Sequence, residues 1–159
     1  MPLTNFERMI QLADEVFATK SDPNQLDINE EVLDHLRKIH PATVSEHDDG
    51  NGPVAWILLI PTTMELMNRF IDGAITEKEL YELTPWNTKY EALYLCSAMV
   101  LREYRRKGIA KRLTLKAVEA IRNDHPIKSL FVWTFSNEGL ICAEALARET
   151  SLPLLQRMS

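Results

Sequence analysis

Cysteine is scarce in this chain, with two residues, Cys96 and Cys142, among 159. Both lie within apolar patterns, and their separation matches no metal-binding spacing. So few cysteines argue against a disulfide-stapled scaffold and favour buried free thiols in a reducing compartment. Histidine is also sparse, and its four residues show no paired ligand spacing, so the sequence predicts no metal site.

Long apolar runs are missing as well. No stretch approaches the roughly 20 residues of a membrane-spanning helix, and the N-terminus lacks a basic, apolar, small-residue signal pattern. We therefore expect no membrane partner and a cytoplasmic location. The formal net charge of −5 argues against nucleic-acid binding, which favours basic domains. The composition, 45% hydrophobic and 26% charged, suits a single domain over 1–159.

The N-terminal part predicts two helices followed by a hairpin. Thr4 and Glu7 have the spacing of a capping box, and the apolar positions that follow recur on one helical face. A second amphipathic helix is predicted over 29–39. Two strands, 43–46 and 54–60, flank the turn-rich sequence DDGNGP, which indicates a hairpin.

A helical insertion is predicted at 62–90. Pro61 should stop the preceding strand, because proline is disfavoured within a sheet. Helical patterns then cover Met64–Ile71 and 76–83, and the second begins with another capping-box spacing. Its apolar residues favour core packing, with an acceptor pocket or lid as the alternative.

The second half of the chain alternates strands and helices. Apolar strands are predicted at Ala92–Val100 and 129–135, and each precedes an amphipathic helix, at 108–122 and 137–149. Continuously apolar strands that flank a helix indicate a right-handed βαβ crossover buried on both faces. The tail, SLPLLQRMS, is predicted as a short edge strand or packed coil. The fold class is therefore α/β (α+β).

The segment REYRRKGIAKR, at 102–112, has six cationic residues among eleven in an acidic chain. Cations at a helix start are unfavourable, because the exposed N–H groups there already carry about half a positive charge. The arrangement makes sense if an anion binds, and phosphate is the usual one. Gly108 allows a close backbone approach or a positive φ, and Ala110 leaves room beside the helix. The alternative is a solvated basic helix start.

These residues resemble a known signature. The sequence MVLREYRRKGIAKRL is similar to the acyl-CoA-binding motif of the GNAT N-acetyltransferase superfamily, whose core is Arg or Gln, two residues, Gly, any residue, then Gly or Ala. Arg105, Gly108 and Ala110 occupy those positions. The resemblance implies a central mixed sheet of about five strands with helices on both faces, an N-terminal helix pair, and the helical insertion before the strand that precedes the CoA loop.

The resemblance also implies acetyl-CoA as co-substrate and a set of binding residues. The pantetheine arm would lie along Met99 and Val100 with Asn137 nearby, and a main-chain N–H near Val100 would polarise the acyl carbonyl. The CoA pyrophosphate would be held by the loop and helix start, namely Arg105, Arg106, Lys107, Gly108, Ile109, Ala110 and Lys111.

Tyr94 is the catalytic candidate. It lies eleven residues before Arg105, where some relatives place a glutamate base, and its phenol could relay a proton. A core tyrosine is the alternative interpretation, and Glu91 or Cys96 are weaker candidates on the same strand. Three glutamates of the insertion could attract a cationic amine or simply face solvent: Glu77, Glu79 and Glu82.

The resulting hypothesis is an N-acyltransferase that transfers an acetyl group to a small-molecule or peptide amine by direct attack in a ternary complex. A non-catalytic CoA-binding or regulatory module is the first alternative. It is suggested by the absence of any tyrosine after Tyr104, since many members carry a thiolate-protonating tyrosine on the last helix. A domain that docks a phosphorylated or nucleic-acid partner is the second alternative. The sheet ends could also pair between subunits in a homodimer.

Overall fold

The computed structural model describes residues 3–19, 26, 28–133 and 137–158. These residues form six α-helices and five strands. The helices are α1 Asn5–Thr19, α2 Glu30–Ile39, α3 Met64–Ile71, α4 Glu77–Leu83, α5 Ile109–Asp124 and α6 Asn137–Thr150. The strands are β1 Val44–Asp48, β2 Pro53–Thr62, β3 Ala92–Val100, β4 Ser129–Val132 and β5 Leu154–Gln156. Within these ranges, no helix is both long and apolar enough for a membrane span.

The strands form one mixed sheet whose spatial order equals the chain order. The β1–β2 and β2–β3 pairs are antiparallel, whereas β3–β4 and β4–β5 are parallel. Helices α5 and α6 are the crossovers of the two parallel pairs and pack on one face of the sheet. Helices α1 to α4 cover the other face. The predicted α/β class, the five-stranded mixed sheet and the helices on both faces are confirmed.

Local capping explains where the predicted helices begin. Thr4 and Glu7 exchange bonds at α1, with Glu7 N–H donating to Thr4 Oγ1 at 3.1 Å. Thr76 and Glu79 do the same at α4, with both bonds at 3.0 Å. These reciprocal bonds satisfy N–H groups that lack a partner within the helix. Both predicted capping boxes are therefore present.

Pro61 does not stop β2, contrary to the prediction. The strand continues to Thr62, and Pro61 pairs with Leu93 of β3. The pairing with β1 ends at Leu58, so at Pro61 the strand has a neighbour on one side only. Proline is tolerated on such an edge because the missing N–H can face the unpaired side.

The insertion packs on one face of the sheet, and the tail adds its fifth strand. The predicted insertion forms α3 and α4, which pack on the sheet through Phe70 and Leu80. The tail forms β5 beside β4, with Leu130 opposite Leu154, so the edge-strand alternative is correct. Strand β4 ends at Val132, earlier than predicted, and residues 134–135 of the predicted strand lie outside the described residues.

Candidate functional site

The sheet opens between β3 and β4. The two strands pair over three positions, and the last of these joins Tyr94 to Phe131. Strand β3 then continues to Val100, and among the described residues only β2 pairs with this part of it. Among the described residues, no strand lies beside the other edge of this part of β3, and this gap is the opening between the two strands. The main-chain N–H and C=O groups of such an edge can bind a ligand.

A β-bulge lies at the start of this opening. Leu58 of β2 pairs with Ser97 and Leu59 pairs with Leu95, so Cys96 is the extra residue of β3. A bulge bends its strand and increases the local twist, which explains why β3 diverges from β4 directly after Tyr94. The Ser97 hydroxyl beside it is buried and has no hydrogen-bond partner among the described residues. No sequence pattern predicted this bulge.

The cationic segment links the end of β3 to α5. A short 3₁₀ turn, Arg102–Tyr104, follows β3, and Gly108 then precedes α5 with φ 75°. The first N–H of α5 to bond is that of Arg112, which donates to Gly108 O at 3.0 Å. The N–H groups of Ile109, Ala110 and Lys111 have no acceptor among the described residues. Three donors therefore point outward at the positive end of the helix dipole, as an anion site requires.

The cations of this segment have two different roles. Arg105 Nε donates to Val100 O at 2.9 Å, and Arg112 Nη1 donates to Lys107 O at 3.0 Å, so both side chains brace the loop. Arg106 reaches into solvent with its side chain 90% exposed, and Lys107 is also exposed. Sequence reasoning treated the cations alike and did not assign Arg112 a role.

The turn before the loop is clamped from outside by α1 and the hairpin. Arg8 of α1 forms an ion pair with Glu103 at 2.6 Å, and the Tyr104 hydroxyl donates to Asp49. The hydrogen bond from Arg8 is the main cause that lowers the pKa of Glu103 from its ordinary value near 4.5 to about 2. Arg8 thereby neutralises the one carboxylate of the cationic segment. These contacts join residues far apart in sequence, so no local pattern could have predicted them.

Replacing Arg8 with glutamine should weaken binding of acetyl-CoA by at most about fivefold, since exposed ion pairs contribute little. The reason is that Glu103 would be left as an unpaired anion beside an anion site. In the wild type this pair is complete above pH 4.5 and is lost only as the pH falls toward about 2. Isothermal titration with acetyl-CoA at low salt measures the effect. Arg37→Gln, which removes a more exposed pair with Asp34 on α2, should leave the affinity unchanged.

Tyr94 is fully buried in the core. Its side chain is 1% exposed, and its hydroxyl donates to Glu77 Oε2 at 2.6 Å. Burial is the main cause that raises the pKa of this phenol well above its ordinary value. Glu77 is itself buried, contrary to the solvated interpretation of the insertion glutamates. Glu91 instead pairs with Lys128 at 2.7 Å at the strand start.

The remaining predicted binding residues lie at the end of β3 and at the start of α6. Met99 is buried against Met9 of α1, and Val100 is half-buried at the end of β3. Asn137 is exposed and begins α6, which follows β4 along the chain. In the described part of the chain, no three His, Cys, Asp or Glu side chains are grouped so as to hold a metal ion.

This chain is similar to a solved structure and to the profile of a protein family. A crystal structure of Chaetomium thermophilum Naa20 in complex with a bisubstrate analogue is similar at 18% sequence identity and a TM-score of 0.48. The match covers 79% of this chain and 60% of that one, so this chain spans about 60% of the length of its structural neighbour. No curated protein matches significantly. The sequence profile of the Acetyltransferase (GNAT) family matches residues 8–141, from α1 to α6. The chain therefore belongs to the GNAT acetyltransferase family.

Proposed function

We propose that this protein is a cytoplasmic, acetyl-CoA-dependent N-acetyltransferase in which an amine attacks the thioester directly in a ternary complex. One observation carries the proposal. The open edge of β3 leads through Val100 into a braced turn, which ends in three outward N–H donors at the start of α5. An extended arm with a diphosphate at its end needs both features, a slot for the arm and an anion site beyond it.

The diphosphate would bind at the start of α5. The N–H groups of Ile109, Ala110 and Lys111 supply directed donors, and Arg106 and Lys107 supply mobile positive charge. Gly108 fits this role, because a Cβ there would lie 2.9 Å from Arg112 Nη1 and φ is positive. Lys111 contacts Glu149 at 3.1 Å, and we expect it to turn toward the bound anion. Arg105 keeps the loop in place through Val100 O.

The pantetheine arm would occupy the opening beside Met99 and Val100, with Asn137 across from them. Acetyl-CoA supplies an acyl group activated as a thioester. Strand edges offer N–H groups at fixed positions, and a main-chain donor near Val100 would stabilise negative charge that develops on the carbonyl oxygen. The buried Ser97 hydroxyl would find a partner there.

The acceptor is an amine of a small molecule or a peptide. A lysine-type amine has a pKa near 10.4, so at neutral pH it must lose a proton before it can attack. Tyr94 lies at the closed end of the opening, at the last position that joins β3 to β4. The hydroxyl of Tyr94 is the polar side-chain group that we propose for this proton transfer.

Two measurements on the purified chain test the proposed function. Acetyl-CoA at 100 times its Kd should stabilise the fold by about 2.7 kcal/mol, which for a chain of this size is a rise in Tm of roughly 5–11 °C. The release of free CoA thiol should then depend on an added amine, tested with spermidine, lysine methyl ester and a peptide with a free N-terminus.

The two measurements separate the hypotheses. A rise in Tm together with amine-dependent thiol release supports the transferase. A rise in Tm without thiol release from any of these amines identifies a non-catalytic CoA-binding module instead. No change in Tm with either acetyl-CoA or CoA contradicts both.

A further inference from the structure

A buried carboxylate stands behind Tyr94. Glu77, the first residue of α4, is 5% exposed. Its Oε1 accepts the Leu26 N–H at 2.7 Å, and its Oε2 accepts the Tyr94 hydroxyl at 2.6 Å. Because both oxygens accept, the contacts favour the ionised form of Glu77. Burial of an ionised carboxylate is costly, and the two hydrogen bonds offset part of that desolvation penalty.

A buried guanidinium lies on the same side of the sheet, in contact with the aromatic rings around Tyr94. Arg157, which directly follows β5, is 9% exposed and lies 4.6 Å from the centroid of the Phe70 ring and 4.8 Å from that of Trp133. Its Nη1 donates to Ile75 O at 2.8 Å. It is close enough to Tyr94 to oppose, through its charge, the raised pKa of the phenol. The titratable groups that face Tyr94 are therefore Glu77 of α4, Arg157 of the tail and the Cys96 thiol of β3.

The position of this cluster relates it to the proposed reaction. Tyr94 belongs to the core under α2, α3 and α4, whereas α5 packs on the opposite face of the sheet. If the diphosphate binds at the start of α5, the arm enters the opening from that side. We expect an amine that attacks the thioester in the opening to arrive from the opposite face, which is the Tyr94 face. The cluster thus lies on the side from which the amine has to lose its proton.

We propose that Glu77 is the final proton acceptor for the amine and is reached through the hydroxyl of Tyr94. This inference rests on the proposed function. The ammonium N–H bond breaks and its proton passes to Tyr94 Oη, while the Tyr94 O–H proton passes to Glu77 Oε2. The products are a neutral amine, a neutral tyrosine and a protonated Glu77. After the attack, the second proton lost by the nitrogen goes to the departing CoA thiolate, and Glu77 returns its proton to solvent.

The relay explains how a buried tyrosine can take part in removing a proton from the amine. Its raised pKa leaves almost no phenolate near neutral pH, so Tyr94 alone is a poor base. In the relay the phenol gives up one proton as it accepts another, and no phenolate accumulates. The hydrogen bond of 2.6 Å already joins the two atoms between which the second proton moves.

The test compares Glu77→Gln with the wild type. Loss of a general base typically lowers the rate by 10²-fold or more, so kcat should fall about 100-fold, with the KM for acetyl-CoA unchanged. Glu65→Gln, at an exposed glutamate of the same insertion, is the matched control and should keep the wild-type rate. The Tm rise with acetyl-CoA should persist in all three proteins, because none of these residues lies at the start of α5.

The pH profile separates a proton relay from a structural role. In the wild type, kcat/KM should decrease at acid pH as Glu77 becomes protonated. In Glu77→Gln the acid limb set by Glu77 should be replaced by a continuous rise of kcat/KM, about tenfold per pH unit, that ends only at the pKa of the free amine. Tyr94→Phe, which keeps the ring and removes the hydroxyl, should show the same loss and the same profile, and it serves if the glutamine variant does not fold.

The outcomes also distinguish this inference from the proposed function. A wild-type rate and profile in Glu77→Gln, or in Tyr94→Phe, overturns the relay while the transferase stands. A loss of kcat in both variants with an unchanged acid limb also overturns the relay, because it indicates a purely structural role. Absence of transfer by the wild type to every amine of the panel overturns the proposed function and the relay with it.

Discussion

Replacing Gly108 with glutamate is expected to abolish the stabilisation by acetyl-CoA and to lower its affinity at least about 100-fold, or about 2.7 kcal/mol. Gly108 precedes α5 with φ 75°, and the N–H groups of Ile109, Ala110 and Lys111 follow it without acceptors among the described residues. A carboxylate at this position could accept from those N–H groups itself and would repel a diphosphate. Titration calorimetry and the Tm rise with acetyl-CoA measure the loss.

Gly108→Ala is the matched control for this variant. Alanine introduces the same Cβ, which would lie 2.9 Å from Arg112 Nη1. It must also adopt the same left-handed backbone conformation, which costs an L-residue roughly 1–2 kcal/mol. The guanidinium end of the Arg112 side chain is flexible and can move away from this Cβ. The alanine variant should therefore lose stability but keep most of its affinity. Equal affinities of the two variants would show that the amides at the start of α5 do not bind an anion.

Replacing Arg157 with methionine is expected to destabilise the fold by about 2–4 kcal/mol, which corresponds to a decrease in Tm of roughly 5–15 °C. Methionine keeps a long unbranched stem but loses the charge. The Ile75 carbonyl loses its buried donor, and the contacts of the guanidinium with Phe70 and Trp133 are lost. The Glu77 carboxylate also loses its nearby cation. Urea unfolding of the two proteins measures the difference.

The comparison for Arg157 is Arg148→Met on α6, where the side chain is exposed. Exposed substitutions usually change stability by less than about 0.5 kcal/mol. If Arg157→Met were no more destabilising than Arg148→Met, then the tail arginine would contribute nothing to the core. In that case the charge balance of the Glu77 and Tyr94 cluster would need another source.

The elements that the sequence predicted well are those whose causes are local. The capping box of Thr76 and Glu79 joins residues three apart, so the start of α4 follows from the sequence alone. The positive φ at Gly108 follows from a glycine placed directly before an apolar helix face. Pro61 shows the limit of such rules, because its tolerance depends on where β1 stops pairing.

One part of the candidate site follows from local sequence, whereas the other depends on contacts between distant segments. The outward N–H groups and the cations at the start of α5 were predictable, because the amides, the glycine and the cations are consecutive in sequence. The clamp between Arg8 and Glu103 joins two positions 95 residues apart. The hydrogen bond between Tyr94 and Glu77 also depends on how the insertion folds back over the sheet. The sequence left open whether Glu77 attracts a cationic amine or faces solvent, since nothing in EKELYEL marks its first residue as buried.

The sequence by itself determined the helices, four of the five strands and the cationic turn, because periodicity, caps and glycine act over a few residues. Only the tertiary structure decided where β3 and β4 separate, that Cys96 forms the bulge, and that Glu77 and Arg157 meet around Tyr94. Those features depend on contacts between distant segments, where burial and pairing of charges outweigh local preference.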